Sequence, residues 1–207
     1  MLIEALIVMA QLGAGEMISS SMESFRALST YSVTLESTSD GTVEVIRYYY
    51  RKPGYVRMEF VTPHRGAVLV YDPARGKARL RPFGFFKPLV LTLSPDSALI
   101  TSSAGHTVDR SHVGALLEDV LSLAHSGSAE VRGSEEVGGR PAYLVEVRGG
   151  GGRTVEGTNM YLLDLDRETL LPLRVRAYGP GGGMTQDVLM ADLAIDPVLP
   201  DGLFVLK

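Results

Sequence analysis

His64, His106, His112 and His125 are the only imidazoles in the chain. A metal-binding histidine needs further ligands at set spacing, most simply a His-Glu-x-x-His helix or paired cysteines. No histidine here sits in such a pattern, and with no cysteine at all the chain has no thiolate ligand, disulfide or cysteine nucleophile. Ser102, Ser103, Asp109 and His112 supply the residue types of a hydrolytic triad, but no Gly-x-Ser-x-Gly elbow presents either serine. A polar loop ending in a helix cap accounts for the same residues. "DLDRET" at 164–169 lacks the spaced ligands of a calcium loop and reads as a hairpin turn. The glycine runs at 149–152 and 181–183 neither open a helix nor end in Gly-Lys-Ser/Thr, so they read as hairpin tips and not phosphate cradles. Metal, cofactor and catalytic machinery are therefore not expected.

The elements that position these residues are mostly strands. The chain has 207 residues, 45 % hydrophobic and 21 % charged, which describes one packed core and excludes wholesale disorder. A net charge of −4 offers no general attraction to phosphate backbones, so nucleic acid is not an expected partner. The first residues are greasy over Leu2 to Leu12 but carry Glu4 and no basic start. They read either as the remnant of an export signal, spanning 1–15, or as the first turns of an amphipathic helix. They are too short to cross a bilayer. A single domain is expected over 16–207.

Ile18, Met22, Phe25 and Leu28 recur at helical spacing and predict a leading helix that ends near Tyr31. A second helix, capped by Ser111 or Asp109 and closed by Gly127, carries the stripe Val113, Leu116, Leu117, Val120, Leu121 and Ala124. About ten short strands surround it, separated by Gly, Pro and Asp breakers. Strands joined by such short turns pair antiparallel, and so many are too numerous for a flat open sheet. The expected fold is mainly β (α+β). It is a strongly curved antiparallel sheet forming an incomplete barrel, with an N-terminal helix and an inserted helix over its concave face.

The stretch "YYYRKPGYVRMEF" at 48–60 shows how such a wall is built. Val56, Met58 and Phe60 point to one side; on the preceding strand Ile46, Tyr48 and Tyr50 share a face. Pro53-Gly54 turns the corner, proline presetting one torsion and glycine accepting a positive one. The tyrosines suit a wall with an apolar inner side and a wet rim. Ordinary packing of sheet on helix would produce the same alternation.

The run "RKPGYVRMEFVTPHRGAVLVYDPARGKARLRP" together with the closing "LPDGLF" resembles the LolA-like carriers of the bacterial periplasm. Lys52-Pro53, Arg57, Pro63 and "LVYDP" occupy the family's places in order, over most of the chain from about Met17 to Leu206. The family's basic residue before proline is an arginine; here it is Lys52, a point charge without arginine's planar fork. The resemblance implies a monomeric periplasmic carrier that holds acyl chains of lipoproteins or other lipids and exchanges them with membrane-bound donor and acceptor proteins in outer-membrane biogenesis. The lipid-binding residues expected on this basis are Ile46, Tyr48, Tyr50, Lys52, Val56, Met58, Phe60, Val68, Val70, Val113, Leu116, Leu117 and Val120. The second helix would be the cover, hinged by the polar loop at 94–110. On this reading Met58→Asp and Leu117→Asp should both impair lipid uptake more than stability. The alternative is a lipoprotein-sensing interaction module like that of the sigma-factor regulators of the RseB kind. Those carry a second domain, and the end of this sequence at "LFVLK" favours the carrier.

Overall fold

The computed structural model describes residues 13–39, 41–82, 89–102 and 105–206. The greasy start from Leu2 to Leu12, and Ser103, lie outside them.

Helix α1 (Ala14–Ala27) buries Ala14, Met17, Ile18, Ser21, Met22 and Phe25, a stripe at three- and four-residue steps. It begins at Gly13, whose backbone N–H donates to Glu16 Oε2 at 2.9 Å. The helix stops four residues short of the expected end. Leu28 is already extended at φ −68° and ψ 154°, and Tyr31 belongs to the first strand, where the ladder to its neighbour overrides the helical spacing.

Eleven antiparallel strands follow, one more than the breakers suggested: β1 (Thr30–Ser39), β2 (Thr42–Arg51), β3 (Tyr55–Thr62), β4 (Val68–Asp72), β5 (Lys77–Arg81), β6 (Leu91–Leu93), β7 (Ser128–Val137), β8 (Arg140–Arg148), β9 (Met160–Asp166), β10 (Pro172–Tyr178) and β11 (Met184–Ile195). The unanticipated element is β6, only three residues long and too short to show an alternation. The sheet runs β6-β5-β4-β3-β2-β1-β11-β10-β9-β8-β7 and does not close, so among the described residues β6 and β7 are its edges. Two meanders are therefore joined by the pairing of β1 with β11. Register shifts interrupt the ladders at Ser32/Thr34, Val45/Ile46, Val131/Gly133, Pro172/Arg174 and Ala177/Tyr178. Each bulge bends and twists its strand, which curls the sheet into an incomplete barrel.

The "DLDRET" segment is the β9–β10 turn: Asp166 Oδ1 accepts from the backbone N–H groups of Glu168 and Thr169 at 3.0 and 2.8 Å. The Pro53-Gly54 corner joins β2 to β3 as expected, but Gly54 takes no positive φ; the Lys52–Pro53 peptide is cis instead.

Helix α2 (Val113–His125) lies inside the curl beside α1, and the two fill its halves unequally. Ala14, Met17 and Ile18 of α1, with Val120 and Leu123 of α2, pack on Val145, Val147, Tyr161, Leu163, Leu165 and Val175, filling most of the β8–β10 half, with Tyr161 and Val175 at its open margin. The β1–β5 half meets only the first turns of α2 and the end of α1. Close approach of the helices depends on Gly114, where a Cβ would sit 2.2 Å from Phe25 Cε1. Alanine is the better helix former by about 1 kcal/mol, yet Gly114→Ala is expected to destabilise by a net 1–3 kcal/mol or so, because the Phe25 ring is wedged and cannot retreat. Urea denaturation checks this; an unchanged or raised midpoint would show the ring to be free to move.

Candidate functional site

The concave face of β1, β2, β3 and β11 is built by strict alternation. Tyr31, Val33, Leu35, Ser37 and Ser39 face inward from β1; Tyr48, Ile46, Glu44 and Thr42 face inward from β2; Met58 and Phe60 do so from β3 and Met190, Val188 and Gln186 from β11. Between this face, the start of α2 and the segments at 99–102 and 106–113 lies a cavity of about 730 Å³. That size is typical of small-molecule sites, and the space is left empty by the protein's own side chains.

One end of the cavity is closed by aromatic rings. Tyr31 stacks on Tyr50 and Tyr48 at centroid distances of 5.0 and 5.7 Å. The expected wet rim for these tyrosines is not what forms. Tyr31 Oη accepts from the Val113 N–H at 3.2 Å and Tyr48 Oη lies 3.1 Å from Ser111 Oγ, so both hydroxyls pin the beginning of α2 to the sheet. Burial pushes both phenols above their usual pKa.

His112, not Ser111 or Asp109, caps α2. Its Nδ1 accepts from the Ala115 N–H at 3.1 Å, and its ring lies parallel to Phe25 at 5.6 Å and tilted on Tyr50 at 5.3 Å. Burial among these rings holds the imidazole below its usual pKa, with Arg110 pulling the same way and Glu118 and Asp109 opposing. The folded value lies below the unfolded one of about 6.5, so the stabilisation is complete above about pH 6.5 and is lost as pH falls from there through the folded value. Thermal melts of the wild type and His112→Asn, which keeps an N-cap acceptor, should therefore diverge less at pH 5 than at pH 7.5. A constant gap would mean that His112 does not titrate in this range.

Of the residues expected to bind lipid, Ile46, Tyr48, Met58, Phe60, Val113 and Leu116 line the cavity. Tyr50, Val56, Leu117 and Val120 share the inward direction but are sealed into the core, the last three at 0 % exposure. Lys52 is elsewhere: its ammonium donates to the Arg26 carbonyl at the C-terminus of α1 and lies 5.9 Å from the Phe25 ring centre, where a cation complements the helix dipole. Val68 and Val70 are displaced to the opposite face. The register pairs Met58 with Leu69, so Leu69 and Leu80 line the cavity while Val68 and Val70 point to the convex side. There they pack under Phe204 and Leu206 of the closing segment, which Arg57 ties down through the Leu203 carbonyl at 2.9 Å.

The fold also brings to the site residues outside that expected set. Val33, Leu35, Val188 and Met190 follow the same alternation as β2 and were legible by it. Leu99, Ile100 and Val108 come from the loop and show no periodicity; Leu99 is 70 % exposed beside the opening. Arg110 and Asp119 form an ion pair at 2.7 Å in the wall, and partial burial raises the Asp119 carboxyl despite this partner. As for the triad types, Ser102 Oγ accepts from the His106 N–H at 3.0 Å and His112 is committed to its cap. Among the described residues no three acidic or histidine side chains gather as a metal site, and no helix is long and apolar enough to cross a membrane.

No family model and no curated protein matches the sequence. Solved structures do match in shape. The chain is similar to lipoprotein LppX of Mycobacterium tuberculosis, with a TM-score of 0.56 at 13 % identity over 90 % of this chain and 97 % of that one. The two share a fold. An uncharacterized conserved protein from Thermus thermophilus gives a TM-score of 0.56 at 11 % identity, covering 91 % and 90 % of the two chains. MucB of Pseudomonas aeruginosa, in its complex with MucA, gives 0.55 at 20 % identity; this chain is covered over 92 % and spans 60 % of MucB.

Proposed function

We propose that this chain is a non-catalytic carrier that holds the acyl chains of a lipoprotein or another lipid in the cavity between its curved sheet and α2, in the periplasm. The observation that supports the reading is the unfilled apolar trough itself, about 730 Å³ walled by Val33, Leu35, Ile46, Met58, Phe60 and Leu69. A chain of about sixteen carbons moved from water into such a space gains about 12 kcal/mol as an upper limit. Binding of that size requires no chemical step. It requires an entrance, and the 106–113 segment that forms part of one wall is the element to move, with α2 following through its Tyr31 and Tyr48 contacts. Membrane-bound proteins would donate and accept the cargo, and the carrier would act as a monomer.

The second reading, a lipoprotein-sensing interaction module, draws on the likeness to MucB, which is known in complex with MucA. The two separate in one experiment. Protein purified from cells under native conditions is extracted with organic solvent, analysed by mass spectrometry and then titrated with a fluorescent fatty-acyl probe. Co-purifying amphiphiles and saturable probe binding are expected of the carrier. A protein that yields no amphiphile and binds no probe would end the acyl-cavity reading, and one that binds the probe but also retains a protein partner through purification would favour the sensing module.

A further inference from the structure

The concave wall changes chemistry along its length, on β1 and β2 at one level and on β11 one inward step later. Leu35 pairs with Ile46 on one side and Met190 on the other; one inward step further, Ser37 pairs with Glu44 and Val188. Beyond these, Ser39 faces Thr42, with Gln186 on β11 and His64 on the β3–β4 loop completing a polar rim around the cavity. The tyrosine-lined end is opposite. A site that is apolar at one end and polar at the other aligns an amphiphile in one direction only, tail toward Tyr31 and Tyr48, head toward the rim.

The rim's polar groups are mostly neutral hydroxyls and an amide. Glu44 is the carboxyl among them, on β2 beside the central strand of the three and half-buried in the wall; the cavity's other carboxyl, Asp119, is already paired with Arg110 at 2.7 Å. A carboxylate accepts hydrogen bonds and attracts a cation, and partial withdrawal from water strengthens that attraction. Resting on the acyl-cavity reading above, we propose that Glu44 reads the headgroup: the rim takes the positively charged amine of an amphiphile and disfavours an anionic head of the same chain length. Burial raises the Glu44 pKa, the nearby His64 acts in the opposite sense, and a bound ammonium would lower it further.

The test uses competition against a fluorescent acyl probe at pH 7.5 by four ligands: dodecylamine, laurate, monolauroylglycerol and ethylamine. In the wild type dodecylamine should displace the probe at a concentration about fivefold or more below that of laurate, and in Glu44→Gln the two should converge. Monolauroylglycerol should compete equally with both proteins, showing that the tail site is intact, and ethylamine should not compete. An unchanged amine preference in Glu44→Gln, or none in the wild type while monolauroylglycerol still competes, would overturn the headgroup assignment and leave the acyl cavity standing. Competition by ethylamine as strong as by dodecylamine would overturn it in favour of a small-cation site. Failure of the probe and of monolauroylglycerol to bind at all would remove both proposals.

Discussion

Leu117→Asp is expected to abolish the cooperative fold. Leu117 has 0 % exposure and sits where α2 meets Phe25, Tyr31 and Val56. The change removes a buried leucine, worth about 2–5 kcal/mol, and leaves a carboxylate without a partner. Together these approach or exceed the roughly 5–15 kcal/mol that holds a domain folded. Loss of near-ultraviolet circular dichroism and of a sharp thermal transition would register it, while Leu117→Met should melt close to the wild type. A Leu117→Asp protein that melts within a few degrees of the wild type would mean that α2 is not anchored as described. The residue thus tests the core and not the site, although its place in the helical stripe suggested a cavity role.

Met58→Asp should do the reverse. Met58 lines the cavity beside Tyr48 and Leu69 and is only partly buried, so a carboxylate there can be hydrated in the empty protein. The stability cost should stay near 1–2 kcal/mol. With an acyl chain in place, that water must leave, and the charge faces hydrocarbon. Affinity for a fluorescent acyl probe is expected to fall about a hundredfold or more, equivalent to about 2.7 kcal/mol, with Met58→Leu binding normally. Probe binding within threefold of the wild type would show that the hydrocarbon does not pass Met58.

The contrast between these residues marks how far local pattern reaches. Antiparallel pairing, the inward set on β2 and β3 and both helices follow from alternation, breakers and helical spacing. Errors arose where a longer-range partner competed. Val68 and Val70 flank an equally apolar Leu69 in β4, and alternation alone does not say which face of a two-sided strand meets the cavity; the closing segment with Phe204 claims the valine face. Lys52 is among the residues expected to bind lipid, but the end of α1 arrives beside it and takes its ammonium. His112 shared a loop with triad-like residues, and its contact with the Ala115 N–H makes it a cap. The three-residue β6 and the wall residues Leu99 and Ile100 have no periodicity to read.

Side-chain order along the backbone is a local property, which is why the direction of Met58, Ile46 and Tyr48 is written in the chain. Whether a given inward side chain meets another side chain or open space depends on the summed volumes of layers contributed by segments far apart in the chain. Here α1 and the end of α2 supply enough volume to fill most of the β8–β10 half of the curl, and the first turns of α2 leave the β1–β5 half hollow. The hollow, and with it the separation of Met58 from Leu117, comes from that three-dimensional mismatch of volumes, which no one-dimensional spacing encodes.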